Sequence, residues 1–464
     1  MLSMNLTELA AQYGGTLVNP GVGFSTVSID SRSIKSGDLF VAIEGNNFDG
    51  HMFLNNLSGT ASGAVVSKYA DTLNIPQWVV QDTTKALGDI ARCRRDQFLG
   101  PLIALTGSSG KTSVKDAIAM ILSQTHKVHA TSGNLNNHYG VPLTLLEMDQ
   151  YADIAVIEMG ASAVGEIDYL CSIAKPDIAL VNNAQSAHIE GFGSLEAIAD
   201  AKAEIYACLG PAGIAVVNID QPWVGKWLSI VGERPYLTFS VSDASANIFA
   251  REIYDNGDGY FRFELVIRPL NNGTCEKSLV QLKIPGRHSV SNSLAAAACS
   301  YAVGVNITQI VSGLEKMSDI NGRLQQYKIS ETFRLIDDSY NANLDSFKAA
   351  IDVLACAKDH CILVMGDMGE LGEQSVTMHQ QVGQYAKKSG INSLYSIGLD
   401  SEYACAEFGG SHFSDKNTLL MSLVQQVEQF ATNGESLTVL IKGSRSANME
   451  FFVNGLINRG KALC

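Results

Sequence analysis

The chain lacks any run of about 20 apolar residues, so no segment is expected to cross a membrane. Its start, Met1-Leu-Ser-Met-Asn-Leu-Thr-Glu, lacks the basic stretch and apolar segment of a secretory leader, and none is expected. Nine cysteines are scattered without a single C-x-x-C pair, and nine is odd. That pattern disfavours a zinc cluster or a disulfide frame and reads as reduced thiols in a cytoplasmic protein. Charge is scarce at 17% of residues, below the roughly 25% of typical soluble domains. Cations are outnumbered 33 to 47, a net charge of −14. A general nucleic-acid binder, which neutralises phosphates with clustered cations, is therefore disfavoured; small anionic ligands remain open. No low-complexity tract or internal repeat is found, and 46% hydrophobic content excludes disorder for most of the length.

With 464 residues the chain has material for about three domains. Residues 1–98 read as a small α/β unit, with strand-like runs Leu39-Phe-Val-Ala-Ile43, Ala64-Val-Val66 and Trp78-Val-Val80 and a helix from Thr83 to Phe98. Leu99-Gly-Pro101 is a plausible linker. Residues 99–319 contain fully apolar strands, Leu102–Leu105, Ile154–Ile157, Ile178–Val181 and Ile214–Val217, separated by helix-length segments. Such strands indicate a parallel sheet covered on both faces. Between 236 and 285 the pattern alternates around Asp255-Asn-Gly-Asp-Gly, as in a small antiparallel subsheet, and helix signals resume at Ser289–Val303. Residues 320–464 repeat the strand–helix alternation at Phe333–Ile336, Cys361–Met365, Ser393–Ile397 and Leu437–Ile441, which reads as a Rossmann-like unit.

The clearest chemical signal is Ala104-Leu-Thr-Gly-Ser-Ser-Gly-Lys-Thr-Ser113, between an apolar strand and a helix-forming stretch. Glycines let backbone N–H groups turn toward an anion, the helix N-terminus adds partial positive charge, Lys111 is a cation and Thr112 has a hydroxyl for Mg²⁺. Leu105 stands where the longer phosphate-loop pattern has its first glycine, so the match is the short T-G-x-x-G-K-T form. Glu158 ends an apolar strand, at the edge where parallel sheets bind ligands, within expected reach of metal held by Thr112. His188 follows the next strand at the same edge. Lys202 by itself reads as a solvated helical lysine, and His126 and His129 have no companions for a metal site. Gly366-Asp-Met-Gly-Glu-Leu-Gly-Glu373 suits either a ligand crevice or a plain turn. Lys442-Gly-Ser-Arg-Ser446 reads as a cradle for carboxylate or phosphate, with a basic surface turn as the bland alternative.

Together with Asn134-Leu-Asn-Asn-His-Tyr-Gly-Val-Pro, Asp337-Asp-Ser-Tyr-Asn-Ala-Asn343 and Asp30-Ser-Arg followed by Gly37-Asp-Leu-Phe-Val-Ala42, these segments resemble the Mur ligase family over nearly the whole chain. These are ATP-dependent ligases that build the peptide of the cell-wall precursor. The resemblance is strongest to the branch that joins D-alanyl-D-alanine to UDP-N-acetylmuramoyl-tripeptide through an acyl phosphate. The Asp-Asn-Pro-Arg motif of the third-residue-adding branch is absent. The resemblance implies that Thr106, Gly107, Ser108, Ser109, Gly110, Lys111, Thr112 and Ser113 cradle ATP, and that Thr112, Glu158, His188 and a carbamylated Lys202 hold one or two Mg²⁺ ions. Lys111, His188 and Lys202 would be catalytic. His288 and Asn292 would lie near the base, and Arg323, Asp338 and Asn341 would reach ATP from the third unit. Asp30, Ser31 and Arg32 would bind the UDP-sugar. Asn134, Asn136, Asn137, Lys442, Ser444 and Arg445 would bind the other substrate portions. A monomer is expected. Ser289, Leu344 and His138 depart from the usual pattern in loop detail. The alternatives are another ligase of the same build, either the third-residue-adding Mur ligase or folylpolyglutamate synthetase, which lacks the Asp30-Ser-Arg unit, and a nucleotide-gated binding protein without turnover.

Overall fold

The computed structural model describes residues 4–460, apart from 22, 46–47, 58, 258 and 271–272. Asp258 of the expected hairpin turn, the first three residues and Cys464 fall outside the described residues. Three larger sheets dominate, one in each expected unit.

In the first, strands Thr16–Val18, Gln77–Val79, Gly63–Val66, Asp38–Val41 and Thr26–Ser28 lie side by side. Only the first pair is antiparallel. The helix Thr83–Asp96 covers this sheet. Asp82 caps it by accepting from the amides of Thr84 and Lys85, and Leu87, Ile90 and Ala91 form its buried face.

The second sheet has nine strands, in the order Val128–Ala130, Ile154–Glu158, Leu102–Thr106, Ile178–Val181, Ile214–Asn218, Tyr236–Ser240, Ile248–Asp255, Tyr260–Ile267 and Glu276–Pro285. Neighbours through Ile248–Asp255 are parallel, and the last two strands are antiparallel. The expected small antiparallel subsheet is present as an extension of the main sheet. Phe239 pairs with Ile248 and Ser240 with Phe249, carrying the hydrogen-bonded edge straight into the hairpin. Ile103, Leu105, Val156 and Leu180 pack on one face against helices Lys111–Leu122 and His288–Ala302. Leu102, Ala104, Ile157 and Val181 pack on the other, with Ile167, Leu170 and Ile198 of helices Glu166–Ala174 and Leu195–Ala207. Burial on both faces explains the unbroken apolar runs.

Register sets the functional edge. Leu105 pairs with Glu158, and Thr106 with Val181. The starts of the phosphate loop, the Glu158 turn and the Asn182 segment therefore emerge together.

The third sheet runs Gln325–Lys328, Phe333–Asp338, Leu437–Lys442, His360–Gly366, Ser393–Ile397 and Ser411–Phe413, parallel except at its first edge. Its apolar contacts do not stop at its own boundary. One buried cluster runs from Ala91 through Leu102 and Val181 to Leu344, Phe347 and Leu440. Among the described residues, no helix is long and apolar enough to cross a membrane.

Candidate active site

The chain leaves the strand Leu102–Thr106, turns through Gly107–Gly110 and enters the helix Lys111–Leu122. Gly110 has φ +76°, and a Cβ there would stand 2.6 Å from Asn292 Oδ1 and 2.8 Å from Asn182 Nδ2. Both conformation and space require glycine. The amides of Gly110, Lys111, Thr112 and Ser113 meet no acceptor among the described residues. They are the orphan donors of a helix N-terminus, half-exposed and pointing the way an anion would approach. This donor set fits a phosphate group. Lys111 Nζ folds back onto the carbonyls of Gly107 at 2.7 Å and Ser108 at 3.4 Å. Burial pushes its pKa down, opposed by nearby Glu158.

Thr112 Oγ1 donates to Glu158 Oε2 at 2.9 Å. Glu158 is only 2% exposed and also accepts from Asn136 Nδ2 at 2.7 Å. Its own amide donates to Thr131 Oγ1 at 2.9 Å. A buried carboxylate beside a hydroxyl at the loop is a fitting oxygen donor set for Mg²⁺. From the third unit, Arg323 Nη2 donates to Thr112 Oγ1 at 3.0 Å and stacks its guanidinium 4.3 Å from the Tyr340 ring centroid. A cation from the third unit thereby reaches the phosphate loop.

Lys202 departs from the solvated reading. It is 2% exposed on the helix Leu195–Ala207, with no hydrogen-bond acceptor among the described residues. Burial, then the nearby Lys111 charge, pushes its pKa well below the lysine range. Glu204, two residues on, faces elsewhere and accepts from the amides of Gly165 and Asp168.

His188 lies in the left-handed region at φ +57° before the short helix Ile189–Phe192. Its Nδ1 contacts Glu370 Oε2, and the Glu190 amide donates to the Glu370 carbonyl at 3.2 Å. Glu370 belongs to Gly366–Glu373, so this stretch is an inter-unit contact and not a plain turn. Pairing with Glu370 is the contact the structure gives His188, and none joins it to Glu158. Glu370 was hidden in the sequence, because its partner lies 182 positions away.

Several of the expected ligands make contacts within the chain. Asn292 is buried beside the loop and accepts from Asn182 Nδ2 at 3.0 Å. Lys442 is buried, and its Nζ lies 2.5 Å from Asp338 Oδ2 and donates to the Asn341 carbonyl at 2.9 Å. The bland alternative of a basic surface turn does not hold for Lys442, since an unpaired buried cation would be too costly and Asp338 neutralises this one. Asp338 also accepts from the Leu324 amide at 3.1 Å; burial raises its pKa while Lys442 opposes the rise. Ser444 is buried, its Oγ 3.0 Å from Ser446 Oγ, while Arg445 is exposed and paired with Glu450. Asn341 uses its Oδ1 on the Ala342 amide. Asn137 Oδ1 accepts from the amides of Tyr139 at 3.1 Å and Gly140 at 2.9 Å, and Asn134 is exposed. His288 is half-buried near Lys442; burial first and that charge second push its pKa down to about 4. In the first unit Arg32 pairs with Asp30 through Nε at 2.9 Å and Nη2 at 2.7 Å, on the surface beside Ser31. A cavity of about 350 Å³, lined by His138, Gly160, Glu166 and Tyr169, opens two residues beyond Glu158.

Family models for Mur ligases match three stretches: the Mur ligase family catalytic domain at residues 24–95, the middle domain at 105–300 and the glutamate ligase domain at 322–445. The chain belongs to the Mur ligase family. It is 40% identical over 462 residues to the UDP-N-acetylmuramoyl-tripeptide–D-alanyl-D-alanine ligase of Escherichia coli, covering 99% of this chain and 100% of that one. Among solved Mur ligase structures, MurF from Acinetobacter baumannii superposes with a TM-score of 0.91 at 32% identity, covering 98% of this chain and 99% of that one. The MurF ligase of Thermotoga maritima in complex with ADP gives 0.82 at 25% identity, over 95% and 98% of the two chains. Mur ligases of this group share the three-domain α/β architecture described above.

Proposed function

We propose that this chain joins D-alanyl-D-alanine to the C-terminal carboxylate of UDP-N-acetylmuramoyl-tripeptide, converting ATP to ADP and phosphate, in peptidoglycan precursor synthesis. The observation that carries this reading is the row of open amides at Gly110–Ser113 beside Lys111, Thr112 and Glu158, in a chain that matches D-alanyl-D-alanine-adding ligases from end to end.

A carboxylate repels nucleophiles and has no good leaving group. Transfer of the γ-phosphoryl group to it gives an acyl phosphate, and attack by the dipeptide amine through a tetrahedral oxyanion releases phosphate. The work of the protein is positioning and charge stabilisation. Residues Thr106–Ser113 hold the phosphates, Lys111 swings from its loop carbonyls to the transferred group, and Arg323 adds a second cation from the third unit. Thr112 and Glu158 supply oxygen donors for Mg²⁺, with His188 available once released from Glu370. Bound there, Mg²⁺ neutralises charge on the phosphoryl oxygens.

Lys202 would serve as a carbamate. Its buried, unpaired amine supports that role, because the neutral amine adds CO₂ and the product is a carboxylate-like oxygen donor. Asp30, Ser31 and Arg32 take the UDP-sugar, and the units divide at 98/99 and 319/320. The enzyme works as a cytoplasmic monomer. His288, Asp338 and Asn341 serve the nucleotide side, and Asn134, Asn136 and Arg445 the acceptor and dipeptide side.

Phosphate release tests the reading. It should require ATP, D-alanyl-D-alanine and UDP-N-acetylmuramoyl-tripeptide together; release without the dipeptide would refute the ligase reading. Carbamylation has its own test, in which Lys202→Ala and bicarbonate-stripped parent enzyme both lose most turnover. Parental turnover in the alanine variant would rule it out.

A further inference from the structure

The segment after the strand Ile178–Val181 runs alongside the phosphate loop before it reaches His188. Asn183 Oδ1 accepts from the amides of Ser108 at 3.0 Å and Ser109 at 2.9 Å, and Asn183 Nδ2 donates to the Ser109 carbonyl at 3.0 Å. The Ser108 amide also reaches the Asn183 backbone carbonyl at 3.1 Å. Asn182 Nδ2 donates to the same Ser109 carbonyl at 3.0 Å.

This arrangement sorts the amides of the loop into two groups. The two at its front, Ser108 and Ser109, are satisfied by one carboxamide. The four that follow, Gly110 through Ser113, have no acceptor among the described residues. With Gly110 as the cap, the first helical bond runs from the Val114 amide to the Gly110 carbonyl at 2.9 Å, and the Ser113 amide is the last of the four orphan donors.

We infer that Asn183 is a positioning residue for the phosphate loop. It fills the front amides and the Ser109 carbonyl, so a nucleotide phosphate meets only the Gly110–Ser113 amides in a preset fan. This rests on the nucleotide-binding reading above and adds to it a residue that touches the loop and not the ligand. Preorganisation of this kind lowers the ordering cost at binding.

Asn183→Leu keeps the volume and removes every hydrogen bond, whereas Asn183→Asp keeps the acceptor for both amides. ADP with Mg²⁺ is titrated into the full chain by calorimetry, and KM is measured for all three substrates. The leucine variant should bind ADP at least tenfold more weakly, with KM for ATP rising in step. KM for the UDP-tripeptide and the dipeptide should stay within twofold. The aspartate variant should recover most of the lost affinity. Should the leucine variant not fold, Asn183→Ser, too short to span the amides, replaces it. Unchanged ADP affinity overturns the inference. Tighter binding overturns it too, because Asn183 would then be standing where the phosphate goes. Equal rises in all three KM values with a lowered Tm would reduce Asn183 to a general fold contact. A parent that fails to bind ADP sinks the underlying nucleotide reading instead.

Discussion

At the residue scale the sharpest dependence is on Lys111. Its side chain touches loop carbonyls and not an apolar core, so Lys111→Ala should fold normally. Loss of one cation at a developing charge costs on the order of 10²–10³ in rate. Steady-state phosphate release checks this, and activity within a few-fold of the parent would contradict the assignment. His288 makes a prediction in pH. Its pKa is about 4 folded, against an ordinary value of 6.5 unfolded. Between those values the unfolded chain binds more protons, so stability is full above about pH 6.5 and falls as pH drops toward 4. A shift of that size corresponds to at most about 3 kcal/mol. The difference in Tm between parent and His288→Gln should change in the glutamine variant's favour between pH 7.5 and pH 5. A difference independent of pH would remove His288 from the acid response.

Element-scale readings from the sequence fared unevenly, for physical reasons. The parallel strands and the phosphate loop were legible, because double-sided burial writes a continuous apolar run and a tight anion loop demands glycine. Glu158 was legible from its place at a strand end. The fate of Lys442 was not: a Lys-Gly-Ser-Arg turn looks the same whether its lysine faces solvent or an aspartate 104 positions away. Lys202 was misleading in the opposite sense, since helical spacing next to Glu204 hides a fully buried amine. Nor does local sequence reveal that the 236–285 hairpin extends the main sheet, because strand pairing is a long-range fact. The loop itself supports a direct test. Gly110→Ala must adopt φ +76° and place a methyl carbon 2.6 Å from Asn292 Oδ1. The conformation alone costs about 1–2 kcal/mol, and the collision adds to it. Calorimetric ADP affinity should drop at least tenfold, with little change in UDP-tripeptide binding.

Across the whole molecule the proposed function divides the substrates among the units. Asp30 and Arg32 sit on the first sheet's side of the chain, far in sequence from the phosphate loop. Arg32→Ala should raise KM for the UDP-tripeptide and leave KM for ATP nearly unchanged; equal rises would refute the division. Arg323 and Glu370 both reach from the third unit to the second, one to Thr112 and the other to His188. Glu370→Ala frees His188 and loosens one bridge. Small-angle scattering of the ligand-free enzyme should then show a larger mean radius, which ATP restores through Arg323.

The buried cluster that passes from Ala91 through Val181 to Phe347 and Leu440 has a consequence for how the protein comes apart. Three sheets suggest three melting events, but a shared apolar seam ties their fates together. Removing the third unit would take Leu344 and Phe347 out of this cluster and bare the side chains of the first two units left in it, and the remaining fragment would self-associate. Differential scanning calorimetry of the intact chain should therefore give a single endotherm, with calorimetric and van't Hoff enthalpies close to equal, as for one cooperative block.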